Sequence, residues 1–209
     1  MQKLDRDRIG NDLVDLQEPQ SLNHHSNPRF LSRICTLEER ECILASDDPH
    51  LMLWTHWAIK EASYKAIKKA FPHARFLPLH FSCTMLSDFS KWESRYQEFK
   101  CTVTVASTDE YVHAIAITEA NKESIKSYKS RVEKIASEET ASREVRQLAL
   151  RLLEEAGYPS CEIVRPVIEE ELTPPIAVLN GQPLASCDIS LSHDGKFVAA
   201  AVLFSLKDD

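Results

Sequence analysis

Cys101-Thr-Val-Thr-Val-Ala-Ser-Thr-Asp-Glu-Tyr111-Val-His-Ala-Ile-Ala-Ile117 aligns without a gap on Cys187-Asp-Ile-Ser-Leu-Ser-His-Asp-Gly-Lys-Phe197-Val-Ala-Ala-Ala-Val-Leu203, at a constant offset of 86 residues. Each stretch reads as two apolar strands of alternating pattern around a polar turn, which is an antiparallel hairpin. An amphipathic helical pattern precedes each hairpin, over about 50–70 in the first case and about 142–157, ending at Gly157, in the second. Two helix-plus-sheet units, each too small to bury its own face, are expected to pack together and leave a cleft between them. The expected fold class is α+β, in two pseudo-repeated halves with the active site in that cleft. The first half spans 1–120, a charged helical linker 121–141, and the second half 142–209.

Outward from the hairpins the pattern is less regular. An opening strand runs through Ile9-Gly10-Asn11-Asp12-Leu13-Val14-Asp15-Leu16, and residues 18–28 form a polar loop to which His24 and His25 belong. Helical periodicity over 36–46 starts at Thr36-Leu37-Glu38-Glu39, a capping box. Strand-like stretches follow near 79–84 and 100–106. Residues 119–144 are rich in Lys, Glu and Ser with few apolar positions, and read as a helix exposed along most of its surface.

Bulk properties exclude several classes. A net charge of −7 and the absence of a long basic stripe argue against nucleic-acid binding. The longest uninterrupted apolar stretch, Phe197 to Phe204, is too short to span a membrane. The charged start Met1-Gln2-Lys3-Leu4-Asp5-Arg6 has no signal-peptide core. Six cysteines without Cys-x-x-Cys spacing argue against a zinc site and read as reduced thiols. A cytoplasmic enzyme is the expectation.

Three segments carry chemistry. In Trp57-Ala-Ile-Lys-Glu-Ala-Ser-Tyr-Lys65, Glu61 and Lys65 stand four apart and share a helix face. Such a pair can hold a divalent cation with the acid while the lysine reaches a phosphate bound to that cation; the same spacing is that of an ordinary exposed helix pair. Asp12 is set in an apolar strand behind Gly10, where a carboxylate is costly unless paired, hydrogen-bonded or metal-bound. The turn of the second hairpin gathers a hydroxyl, an imidazole and a carboxylate in Ser192-His193-Asp194.

Together, Gly10-Asn11-Asp12, Lys60-Glu61-Ala62-Ser63-Tyr64-Lys65 and Ser190-Leu191-Ser192-His193 resemble the motifs of the 4′-phosphopantetheinyl transferases, over residues 9–120 and 140–206. The resemblance implies transfer of 4′-phosphopantetheine from coenzyme A to a serine of an apo acyl carrier protein, with release of 3′,5′-ADP. It implies Mg²⁺ on Asp12 and Glu61, with Glu61 or a metal-bound water as base and Lys65 on the pyrophosphate. Ser192 and His193 would grip a coenzyme A phosphate, and Arg143 and Arg146 cover the 3′-phosphate. Asp194 would touch the metal shell or serve the turn alone. Carrier proteins are acidic, so docking calls for a basic patch, with Arg29, Arg33, Lys68, Lys69 and Arg75 as candidates.

Departures from the family pattern are also legible. Val14 stands where the larger members carry another acid, and Lys68-Lys69-Ala70-Phe71-Pro72 replaces a glycine-rich turn. The halves are in reversed order relative to the surfactin-type enzymes, and the expected assembly is a pseudo-dimer within one chain. An inactive coenzyme A or carrier-protein binding module, and a Mg²⁺-dependent phosphoesterase, are the other readings.

Overall fold

The computed structural model describes residues 6–119, 126–168 and 171–205. Its first unit opens with β1 (Ile9–Asp15), followed by α1 (Pro28–Ile34), α2 (Leu37–Ala45) and the long α3 (Pro49–Ala70). Next come β2 (Phe81–Met85), β3 (Lys91–Tyr96), β4 (Phe99–Ser107) and β5 (Tyr111–Thr118), making an antiparallel sheet of order β1-β5-β4-β3-β2. In the second unit, β6 (Lys126–Lys134) precedes α4 (Ala141–Glu154). Short strands β7 (Cys161–Val164), β8 (Val167–Ile168), β9 (Glu171–Leu172), β10 (Ile176–Leu179) and β11 (Gln182–Pro183) lead to β12 (Cys187–Asp194) and β13 (Phe197–Ser205). The sheet beneath α4 has the order β12-β13-β6.

The helices form where their chemistry calls for them. Thr36 Oγ1 accepts from Glu39 N while Glu39 Oε2 accepts from Thr36 N, closing the capping box that starts α2. Asp48 caps α3, with Pro49 in its first turn, where a missing N–H costs nothing. In α4 the buried positions Ala141, Val145, Leu148, Ala149, Leu152 and Leu153 lie three or four apart, and they cover Ile189, Val198, Ala200 and Val202 of the sheet.

The two hairpins share their pairing register at the same offset as their sequences. Adding 86 to both members of Cys101↔Thr118 gives Cys187↔Phe204, and the relation holds to Ser107↔Val112 and His193↔Val198. β1 pairs with β5, and β6 pairs with β13 in the corresponding place. That arrangement corrects the helical linker over 121–141. Residues 126–134 are a strand, because Lys126-Ser-Tyr-Lys-Ser-Arg-Val-Glu-Lys134 alternates with period 2. Tyr128 and Val132 pack between the units. The charged side faces the end of α4: Arg131 pairs with Glu155 at 3.0 Å, and Glu133 with Arg151. Residues 120–125 of the expected linker lie outside the described residues.

The units meet along β1. Ile9, Ile115, Ala201 and Leu203 form one interfacial cluster, and Leu13, Phe197 and Ala199 another. Beside these contacts, β1 turns its second edge to β12, whose alternate side chains take the place of a backbone ladder. Ile9 N donates to Asp188 Oδ2 at 2.8 Å, Asn11 N to Ser190 Oγ at 2.8 Å, Leu13 N to Ser192 Oγ at 3.2 Å, and Asp15 N to Asp194 Oδ2 at 2.7 Å. Every outward N–H of this buried edge is thereby satisfied. The Asp-x-Ser-x-Ser-x-Asp alternation of β12 is a structural clasp before it is anything else.

Candidate active site

Residues 10, 12 and 14 of β1 point toward α3. Gly10 is required there because a Cβ would lie 1.9 Å from Ala62 O and 2.6 Å from Ala66 N. This close approach brings the helix within reach of Asp12. Lys65 Nζ lies 2.7 Å from Asp12 Oδ1, 3.1 Å from Asn11 O and 3.3 Å from Ser192 Oγ. Ser192 Oγ donates to Asp12 Oδ1 at 3.1 Å. The charge embedded in β1 is thus compensated by a lysine from the first unit and a hydroxyl from the second. Residues 12, 65 and 192 meet at one point.

Above this network opens a cleft of about 680 Å³ between the units. Trp54, Trp57, Glu61 and Lys65 line it from α3, spaced three or four apart on one face. Lys60 is rotated off that face. It is buried, and its Nζ binds Glu39 Oε2 at 2.6 Å and Ile34 O at 2.7 Å. The first lysine of the Lys-Glu-Ala motif therefore fastens α1 and α2 to α3, while Glu61 and Lys65 face the cleft.

Burial, then the neighbouring Asp12 carboxylate, pushes the Glu61 carboxyl up to about 7, against the opposing pull of Lys65. Asp194, at the rim, is raised to about 6 by burial; Asp12, Asp15 and Glu18 raise it and the Asp15 N–H opposes them. Asp15 itself turns the other way. It caps the β12–β13 turn, accepting from Gln17 N at 2.9 Å and Lys196 N at 3.2 Å. Gly195 of that turn has φ +49, and a Cβ would lie 2.5 Å from Asp15 Oδ2.

The expected site residues divide as follows. Asp12, Glu61, Lys65, Ser192, His193 and Arg146 all line the cleft. Arg143 does not. On α4 the lining residues are Ser142, Val145 and Arg146, an i, i+3, i+4 face; Arg143 falls beside it and pairs with Glu144 at 2.9 Å. Ser192 is also more committed than expected, since its hydroxyl serves Leu13 N, Lys65 and Asp12 together. Of the docking candidates, Lys69 is buried against Asp188 at 2.9 Å and Lys68 Nζ donates to Pro72 O and Ala74 O. Arg29, Arg33 and Arg75 are exposed.

Several lining residues were not singled out in the sequence. His24, assigned to a polar loop, packs against Phe30 in a tilted ring pair at 4.2 Å between centroids and stands edge-on to Trp54 at 6.0 Å. Trp54 Nε1 donates to Ser21 O at 3.0 Å, fixing the loop as one wall. Arg165, between β7 and β8, lines the wall opposite. No local pattern marks Arg165, whereas the Trp54/Trp57/Glu61 spacing was open to reading.

Cleft, helix and strand define a class on which comparison with known proteins agrees. The 4′-phosphopantetheinyl transferase superfamily matches over residues 8–116, β1 through most of β5, which is more than half of the chain. The protein belongs to that superfamily. Among solved structures, it is similar to the Thermotoga maritima holo-(acyl-carrier-protein) synthase, with 14% identity, a TM-score of 0.41, and coverage of 85% of this chain and 84% of that one. No match is found among curated proteins. Among the described residues, no helix is long and apolar enough to cross a membrane.

Proposed function

We propose that this chain transfers the 4′-phosphopantetheine of coenzyme A to a serine of an apo acyl carrier protein, with Mg²⁺ held by Asp12 and Glu61. The observation that carries the reading is the meeting of Asp12, Lys65 and Ser192 beside Glu61 on the floor of one cleft. The donor set suits the ion: Asp12 and Glu61 are hard oxygen donors, the Asp12 charge adding to the rise that burial gives the Glu61 carboxyl, and Mg²⁺ takes one or two carboxylates plus phosphate oxygens and water. When bound, the ion would supply charge neutralisation at the pyrophosphate.

The remaining roles belong to the protein. Lys65, poised among oxygens, swings from Asp12 to the pyrophosphate and stabilises the charge growing on the departing 3′,5′-ADP. Glu61, directly or through a water, accepts the proton from the carrier serine Oγ as that oxygen attacks phosphorus. His193 and Arg146 bind coenzyme A phosphates from the second unit, and Ser192 orients Asp12 and Lys65. The aromatic wall of Trp54, Trp57 and Phe30 excludes water from the reacting centre. Arg29, Arg33 and Arg75 remain as exposed cations for an acidic carrier.

Intact mass spectrometry tests the reading. Apo acyl carrier protein incubated with the chain, coenzyme A and Mg²⁺ gains one phosphopantetheine mass, and the gain is lost with EDTA and in Glu61→Gln. Free phosphopantetheine without carrier modification would assign a phosphoesterase instead. Coenzyme A binding without either product would leave a binding module.

A further inference from the structure

On the side of α3 turned away from the cleft, Glu39, His56 and Cys83 converge, with one ligand atom from each lying within 4.8 Å of the others. They come from α2, α3 and β2, so nothing in their sequence spacing announces the group. His56 is 1% exposed, and neither of its ring nitrogens has a hydrogen-bond partner. Its ring stands edge-on to Trp92, with centroids 5.2 Å apart. A buried polar group left unpaired forfeits its hydration without a replacement, which makes an imidazole with two idle nitrogens an unfavourable way to fill a core.

The surroundings are those of a ligand set. Glu39 Oε2 is taken by Lys60 Nζ and Thr36 N. Its other oxygen, Oε1, accepts from Cys83 N at 3.2 Å and lies 3.9 Å from His56 Nδ1. The Lys60 contact and the capping box hold the carboxylate in place, as polar partners outside the coordination sphere do in metal sites. A cavity of about 400 Å³ opens onto the group and is also lined by Cys42, giving an entry path and a candidate fourth donor.

We infer that Glu39, His56 and Cys83 form a binding site for a borderline-soft divalent cation of the zinc class. Imidazole nitrogen, thiolate sulfur and carboxylate oxygen are the three donor types that Zn²⁺ accepts, while Mg²⁺ prefers oxygen alone. The site is therefore chemically separate from Asp12 and Glu61. Its position joins α2, α3 and β2, so an ion there would cross-link three elements of the first unit. Binding releases the Cys83 thiol proton to solvent, and His56 enters in the neutral form its burial already imposes.

The test uses the full chain, stripped of metal by chelation and titrated with Co²⁺. A thiolate-to-cobalt charge-transfer band with the intensity of a single site is expected, and Zn²⁺ should abolish it. Cys83→Ser should abolish the band, Asp12→Asn should leave it unchanged, and His56→Asn should weaken binding at least tenfold. As a readout free of variants, Zn²⁺ should protect Cys83, but not Cys161, from alkylation as read by peptide mass. No thiolate band in the wild type, a band that survives Cys83→Ser, or unaltered alkylation of Cys83 would overturn the assignment.

Discussion

Gly10→Ala places one methyl group where β1 crosses α3. The new Cβ would sit 1.9 Å from Ala62 O and 2.6 Å from Ala66 N, against an ordinary contact distance of 3.4 Å or more. Both obstacles are backbone atoms of a buried helix and cannot rotate away. Strand and helix must therefore separate by roughly 1.5 Å, the difference between 1.9 and 3.4 Å. Overpacking a well-filled core by small amounts costs about 1–3 kcal/mol, and a rigid backbone clash of this depth belongs at or above the upper end. Against a typical stability of about 5–15 kcal/mol, the variant should remain folded but melt early.

The same displacement acts on the site. Asp12 lies two residues along the strand on the same face, so the 2.7 Å contact with Lys65 opens. A misplacement of about 1 Å near reacting groups can cost about 10²-fold in rate. Urea denaturation and the rate of carrier modification, measured on the same preparation, should fall together. Gly157→Ala is the control, since its Cβ meets nothing within 4 Å and only its φ of +88 resists; it should lose about 1–2 kcal/mol and no activity. Gly10→Ala with the wild-type urea midpoint and full rate would refute the close-packing argument.

Three further outcomes are expected. Glu61→Gln should abolish transfer yet raise stability at pH 8: the folded Glu61 carboxyl titrates near 7, above its unfolded value, so its unfavourable contribution grows as pH rises from 4.5 to 7 and is removed with the carboxyl, giving up to about 3 kcal/mol before allowance for partial exposure. Equal or lower stability of Glu61→Gln in urea at pH 8 would contradict this. His113, held down to about 4 by burial and then by Lys65, has a folded value below its unfolded one, so stability is lost as pH falls below 6.5. Between pH 6.5 and 5 that loss is about 2 kcal/mol, and the acid slope measured by urea midpoints should flatten in His113→Gln. Ser192→Ala strands Leu13 N and leaves Asp12 with Lys65 but without its hydroxyl donor, so it should cost about 1–3 kcal/mol and slow transfer, with chemical denaturation and mass spectrometry as the two readings.

How much of this was legible beforehand differs by element. The capping box at Thr36, the helix over 49–70 and the paired hairpins follow from local periodicity, and the structure carries them nearly as read. β6 was missed because its charged side was taken for a solvated helix face, when Arg131 and Glu133 are in fact answered by Glu155 and Arg151 at the end of α4. Lys68 and Lys69 read as surface cations, although Lys69 is buried in an ion pair with Asp188 from the far end of the chain. Arg143 and Arg146 looked equivalent in sequence and were separated by helix rotation alone.

Local chemistry thus determined α2, α3, α4, the paired hairpins, the superfamily motifs and the demand that Asp12 be compensated, because each depends on side-chain type and on periodicity within a few residues. What compensates it, a lysine 53 and a serine 180 positions away, was decided only by tertiary structure. So were the β1–β12 clasp, the aromatic wall that includes His24, and the convergence of Glu39, His56 and Cys83. Contacts between groups so distant in sequence depend on how strands register and helices rotate against one another, and no window of neighbouring residues contains that information.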